Sequence, residues 1–98
     1  MSEIFRIKTT SNFERSYKRL IKGNSELVLS ISNVVKKIRE DQFQQGLRTH
    51  KVMSRYHSLV FSSKVTGDIR ILWIQEGQSL IIILLKIGGH SGKGKVYK

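Results

Sequence analysis

The first part of the chain alternates between apolar and polar positions and then changes to a helical period. Residues 4–8 place apolar and basic side chains on opposite sides, which predicts a short strand with one buried face. Ser11, with Glu14 three positions later, matches a capping box that would begin a helix. Apolar residues at helical spacing over 13–21 continue that helix, and Gly23 is expected to end it.

A second helical stripe follows almost immediately. Asn24 or Ser25 can cap it, and the apolar residues of 27–38 recur at helical spacing. Because so few residues connect the two segments, we expect an antiparallel helical hairpin.

After this hairpin the pattern becomes that of β-strands. Strands are predicted around 59–61, over 69–74 and over 80–87, with a turn at 65–68 and a further short strand near 50–53. The last run is apolar on both faces, so it should be a central strand. The order βααβββ predicts an α+β fold, in which two helices pack on one face of a small, mostly antiparallel sheet.

Length and charge narrow the class of protein. Ninety-eight residues, 39% of them hydrophobic, form one domain over residues 1–98. Eighteen Lys and Arg against seven Asp and Glu give a net charge of +11. A small domain with this excess repels itself, so we expect an anionic partner. Nucleic acid is the leading candidate, ahead of an acidic protein or a membrane surface.

The residue types that are absent exclude several kinds of site. The sequence has no cysteine, which excludes disulfides, a thiol nucleophile and cysteine-bound metal centres. The first residues lack the basic start and apolar core of a signal peptide. The apolar run 80–85 is far shorter than the ~20 residues of a membrane helix. We therefore expect a soluble, cytoplasmic protein.

The residues after the last predicted strand are the first candidates for chemistry. The glycines at 88–89 are expected to let the backbone turn sharply and bring His90 close to a ligand. Lys93 and Lys95 can contact phosphate or form a solvated basic end. Tyr97 can anchor the terminal segment or stack on a base.

A second group of candidates lies between the helices and that strand. His50 can act as a base or can be an ordinary surface histidine, and Lys51 follows it. Arg70 interrupts an apolar strand, so its side chain must leave the core or find an anion. Lys64 and Asp68 flank the predicted turn, where an aspartate usually bonds its own backbone. The sequence leaves open whether Lys64 and Arg70 share a face of the sheet.

Taken in order, these segments resemble the RelE/ParE superfamily of bacterial toxins, most closely its YafQ-like RelE branch. The matching segments are residues 13–20, 47–51, 64–72 and 85–91, followed by Val96 and Tyr97. The resemblance spans nearly the whole chain. It implies the RelE-like, microbial-ribonuclease type of fold and the toxin of a type II toxin–antitoxin system.

The activity that this resemblance implies is ribosome-dependent cleavage of messenger RNA in the ribosomal A site. The 2′-hydroxyl attacks the adjacent phosphate without a metal or other cofactor and leaves a 2′,3′-cyclic phosphate and a 5′-hydroxyl. The implied partners are the ribosome, the messenger and an acidic antitoxin encoded beside the toxin. The toxin is expected to be a monomer within a hetero-oligomeric complex, with no membrane involved.

The resemblance also implies roles for individual residues. Those expected to be catalytic are His50, Lys64, Asp68, His90 and Tyr97. His50 is assigned as the base and His90 as the acid or a phosphate ligand, with the reverse left open. Those expected to bind RNA are Lys51, Arg70, Lys93 and Lys95. Two positions depart from the family pattern, since Lys64 replaces a histidine of the similar branch and Tyr97 lies unusually far from His90.

Two other functions remain open on the sequence. A ParE-type inhibitor of DNA gyrase would keep the fold without nuclease activity, and a non-catalytic nucleic-acid-binding domain would keep only the basic surface. His50 and His90 argue against the gyrase inhibitor, because such a protein needs no acid–base pair.

Overall fold

The chain forms two helices that are followed by most of a five-stranded sheet. The computed structural model describes residues 5–52, 60–76 and 80–89. In chain order its elements are β1 Arg6–Thr9, α1 Ser11–Ile21, α2 Ser25–Glu40, a short 3₁₀ helix Gln45–Leu47, β2 His50–Val52, β3 Val60–Lys64, β4 Ile69–Gln75 and β5 Ile81–Gly89. The α+β order predicted from the sequence is confirmed, including the short strand near 50–53.

The strands form one open sheet in the order β1-β5-β4-β3-β2. β1 runs parallel to β5, and the other neighbouring pairs are antiparallel. The sheet is therefore mixed but mostly antiparallel, as predicted. β5 has a neighbour on each side, which its apolar composition requires, although β4 occupies the middle of the sheet.

Both helices pack on one face of this sheet and close the hydrophobic core. The buried residues of the helices are Phe13, Ile31, Val34 and Ile38, and those of β4 and β5 are Ile71, Trp73, Ile82, Leu84 and Ile87. Trp73 is 1% exposed and lies at the centre of this core. No helix within the described ranges has both the length and the apolar composition to cross a membrane.

The start of α1 differs by one residue from the sequence prediction. Thr10, not Ser11, is the N-cap, because its Oγ1 accepts a hydrogen bond from the Phe13 N–H at 3.0 Å. The same hydroxyl lies 3.2 and 2.9 Å from the carbonyl oxygens of Leu84 and Leu85. These contacts with β5 favour Thr10 as the cap, so the predicted capping box is wrong.

The remaining helix boundaries follow the sequence. Gly23 has a φ of +73°, a left-handed conformation that ends α1 and that side chains other than glycine rarely adopt. Asn24 then caps α2, since its Oδ1 accepts from the Leu27 N–H at 3.3 Å. The short connection places the two helices in the predicted hairpin.

Candidate functional site

The β3–β4 hairpin decides a question that the sequence leaves open. Lys64 and Arg70 are direct cross-strand partners, so their side chains project from the same face of the sheet. The N–H groups of Val65 and Thr66 bond the carbonyl oxygen of Ile69 at 2.9 and 3.3 Å. These bonds confirm the predicted turn at 65–68 and fix the register that brings the two cations together.

Lys64 and Arg70 lie on the face of the sheet opposite the helices. Trp73 is buried against the helices, so alternation along β4 directs Arg70 to the other side. His50 pairs with Ser62, which is two residues from Lys64 on β3, so His50 projects from this open face as well. Diagonal cross-strand neighbours lie about 7–8 Å apart. His50 and Lys64 are such diagonal neighbours, and Arg70 lies beyond Lys64 on β4, so the three side chains line one stretch of the open face.

A β-bulge adds a further cation to the open face. Leu84 and Ile87 are both buried on the helix side, with exposures of 1% and 2%, although three positions separate them. The register shift explains this, because Trp73 pairs with Leu84 while Leu72 pairs with Lys86. Lys86 thus leaves the core and joins the open face, a position that uninterrupted alternation from Leu84 would not give it. Lys86 is not among the site residues predicted from the sequence, although a lysine out of phase in an apolar strand is a detectable sign of a bulge.

Arg70 is anchored to the turn by its own guanidinium group. Its Nη1 donates hydrogen bonds to the carbonyl oxygens of Thr66 and Ile69 at 2.7 and 3.2 Å. Thr66 Oγ1 in turn accepts from the N–H groups of Asp68 and Ile69 at 3.3 and 3.1 Å. The guanidinium group of Arg70 is therefore held in a fixed position beside the turn that contains the exposed Asp68.

His50 begins the edge strand β2, and its ring is oriented by a backbone carbonyl. Its Nδ1 lies 3.0 Å from the carbonyl oxygen of Arg48. A carbonyl oxygen can only accept, so in the neutral ring Nδ1 carries the hydrogen and Nε2 carries the lone pair. Because the residue is exposed, Nε2 is available to a substrate as a proton acceptor.

Lys51 does not share the open face with His50. It pairs with Phe61, whose ring stacks on Trp73 at 4.8 Å on the helix side of the sheet. The register therefore directs the exposed Lys51 to the helix side. The structure therefore separates Lys51, a candidate RNA-binding residue, from the cations of the open face.

The predicted turn after the last strand is wrong. Gly88 and Gly89 are buried residues of β5 that pair with Arg70 and Ile69. The ladder with β4 keeps them extended, so they continue the strand where the sequence suggested a sharp bend. Four other candidates, His90, Lys93, Lys95 and Tyr97, lie outside the described residues.

The fold is shared with solved structures, although no protein-family model matches the sequence and no curated protein matches it. A YoeB/ParE toxin from Agrobacterium tumefaciens matches with a TM-score of 0.73 and 11% identity, over 89% of this chain and 100% of that one. A chain of the E. coli DinJ–YafQ complex matches with a TM-score of 0.69 and 11% identity, over 88% and 93%.

A third match is a chain of the YoeB–YefM complex from Staphylococcus aureus, with a TM-score of 0.68 and 17% identity, over 89% and 98%. Each of these structures is matched over nearly its full length, while the identities are low. The similarity therefore concerns the arrangement of helices and strands. The chain has the fold of the RelE-superfamily toxins YoeB, ParE and YafQ, as the resemblance in its sequence predicts.

Proposed function

We propose that this protein is the toxin of a type II toxin–antitoxin pair and cleaves messenger RNA on the ribosome. The observation that supports it best is the placement of His50, Lys64 and Arg70 on the same open face of the sheet. A proton acceptor and two cations on one face are suited to binding and cleaving a phosphodiester backbone. The net charge of +11 favours a polyanionic substrate.

The pairing of Lys64 with Arg70 is itself a sign of anion binding. Like charges directly opposite each other destabilise a sheet. Both side chains are half-buried, so solvent screens the repulsion incompletely. A phosphate between them would replace the repulsion with two charge-assisted hydrogen bonds.

The proposed reaction is an attack of the 2′-hydroxyl on the adjacent phosphorus. His50 Nε2 accepts the 2′-hydroxyl proton while the bond from O2′ to phosphorus forms, and base catalysis of this kind contributes about 10²–10⁴-fold. Lys64 and Arg70 donate to the non-bridging oxygens, where negative charge accumulates in the transition state. The bond from phosphorus to O5′ breaks, and the products are a 2′,3′-cyclic phosphate and a 5′-hydroxyl.

The other members of the proposed site carry the remaining steps. His90 protonates the leaving O5′ or binds the phosphate, and Asp68 orients a histidine. Tyr97 stacks on a base, while Lys93 and Lys95 contact the messenger or the ribosome. No step is assigned to a metal ion, so activity should persist in EDTA concentrations that leave the ribosomes intact.

The proposed partners follow from the same fold comparison. Two matching structures are complexes, of YafQ with DinJ and of YoeB with YefM. We propose that this chain is likewise held by an acidic antitoxin encoded beside it and that it acts in the cytoplasm, where ribosomes are found. The exposed basic residues of α1 and its C-cap provide a surface of opposite charge, formed by Arg15, Lys18, Arg19 and Lys22.

Cell-free translation followed by primer extension tests the proposal. Wild-type protein should produce cuts in a translated messenger and none in the same RNA without ribosomes. His50→Ala should slow cutting by about 100-fold or more, whereas the exposed-lysine variant Lys36→Gln should cut like the wild type. Loss of gyrase supercoiling without cuts would favour the ParE-type alternative. A folded protein with neither effect would contradict the proposal and leave a nucleic-acid-binding domain.

A further inference from the structure

Three buried or half-buried polar side chains connect the core of the sheet to the residue that precedes His50. Trp73 Nε1 donates to Ser63 Oγ at 2.9 Å. Ser63 Oγ lies 2.6 Å from Thr49 Oγ1, and Thr49 Oγ1 lies 2.6 Å from the carbonyl oxygen of Gln42. Ser63 is fully buried and Trp73 nearly so, at 0% and 1% exposure. We call this set the hydroxyl relay.

The chemistry of its two ends gives the relay a single direction. The carbonyl of Gln42 can only accept, so the Thr49 hydroxyl hydrogen is committed to it. The indole N–H of Trp73 can only donate, so Ser63 Oγ accepts from it. The remaining bond must then run from the Ser63 hydroxyl to Thr49 Oγ1. Both hydroxyl hydrogens are thereby assigned, and removing either hydroxyl interrupts the relay.

The relay acts where the backbone has few other restraints. β2 is a three-residue strand at the edge of the sheet, paired with β3, and so short an edge is weakly held by its ladder. Thr49 directly precedes it and bonds both Ser63 of β3 and Gln42 in the loop that follows α2. Arg48, one residue earlier, has the left-handed φ of 49°, a conformation that its surroundings must maintain.

The same short segment sets the orientation of the His50 ring. The carbonyl oxygen that accepts from Nδ1 belongs to Arg48, so its direction depends on the backbone on either side of Thr49. Phe43 packs edge-on against Phe61 with ring centroids 5.4 Å apart, which provides a separate attachment of the loop to the sheet. Loss of a hydroxyl should therefore change the alignment of His50 and leave the loop attached.

We propose that Thr49 and Ser63 are positioning residues that fix the tautomer and direction of His50 through the hydroxyl relay. The proposal rests on the proposed function in taking His50 as the base. It adds that the core sets the orientation of this base through Trp73 and Ser63, in addition to the Arg48 carbonyl that bonds the ring directly.

Paired variants of Thr49 separate its hydroxyl from its shape. Thr49→Val keeps the shape and removes the hydroxyl, whereas Thr49→Ser keeps the hydroxyl. Ser30→Ala is the matched control, because Ser30 Oγ bonds the Glu26 carbonyl within α2 at 3.3 Å, away from the site. Two measurements are made on each protein: the single-turnover rate of messenger cutting, and the ¹⁵N shifts of the His50 ring, which report its tautomer.

Thr49→Val should lower the cutting rate by about 10-fold or more and reduce the Nδ1–H tautomer of His50, with KM little changed. Thr49→Ser and Ser30→Ala should match the wild type in both measurements. An unchanged tautomer and rate in Thr49→Val would overturn the proposal, as would equal losses in Thr49→Val and Thr49→Ser. If the wild type cuts no RNA while the tautomer still shifts in Thr49→Val alone, the relay stands and the proposed function fails.

Discussion

Replacing Lys64 with glutamine should make the protein more stable while reducing its activity. Lys64 faces Arg70 directly across the β3–β4 hairpin. Like charges directly opposite each other destabilise a sheet, and two unit charges roughly 7 Å apart repel each other by about 0.6 kcal/mol in water and by more where solvent screens them incompletely. Lys64→Gln removes this repulsion and keeps a side chain of similar length on the strand.

Urea unfolding measures the effect. With a urea dependence of ~1 kcal/mol per molar, a gain of ~0.5 kcal/mol raises the midpoint by about 0.5 M at low ionic strength. The gain should shrink in ~1 M NaCl, where the screening length falls to about 3 Å. Inorganic phosphate should stabilise the wild type more than the variant, because only the wild type offers both cations. In the translation assay, Lys64→Gln should cut about 100-fold more slowly.

Lys36→Gln is the matched control for charge. Both variants lower the net charge from +11 by one, but Lys36 is exposed on α2 and has Glu40 four residues later on the same helix. Its removal should leave stability unchanged or slightly reduced. If the two variants shift the midpoint equally, the effect is one of overall charge and the local argument is wrong. A less stable Lys64→Gln would refute the proposed repulsion outright.

Three further predictions concern backbone and capping positions, each measured by urea unfolding. Gly23→Ala should lower the free energy of unfolding by about 1 kcal/mol, because a Cβ there meets no atom within 4 Å and only the φ of +73° opposes it. At Gly46 a Cβ also meets no atom within 4 Å but φ is not positive, so Gly46→Ala should leave stability unchanged or raise it. Equal losses of stability in the two variants would contradict the backbone argument. Thr10→Val should lower the free energy of unfolding by about 1–2 kcal/mol, since one hydroxyl both caps α1 and contacts β5. Thr10→Ser keeps the hydroxyl and should retain most of that stability. Unchanged stability in Thr10→Val would show that Ser11 can take over the cap. Arg48→Val should destabilise the folded protein by about 1–3 kcal/mol because a β-branched residue opposes the left-handed φ, whereas Arg48→Gly should be tolerated. Equal stability of the two variants would show that the backbone at this position is not strained.

Much of the fold could be read from the chain because its causes are local. Helical spacing placed α1 and α2, and a glycine and an asparagine placed the boundary between them. Alternation and turn residues placed the strands to within a few residues. The capping prediction failed because the Thr10 hydroxyl has partners in β5, some 75 positions away, and a local motif cannot include such partners.

The candidate site could be predicted only in part. Residue types and the family resemblance singled out His50, Lys64 and Arg70, which the sheet brings to one face. The bulge between Leu84 and Lys86 and the relay through Ser63 were not predicted. Both depend on how strands pair, and strand register is fixed by distant partners.

The order of the elements, the basic character of the surface and the residue types available for chemistry all follow from the chain read residue by residue. Which of these residues come together depends on how the strands pair. A shift of one position in strand register moves every side chain of that strand to the other face. The pairing of Lys64 with Arg70, and of Lys51 with Phe61, is therefore what separates the residues of the proposed site from equally basic neighbours. That choice comes from the packing of Trp73 and its neighbours against the helices, which no single segment contains.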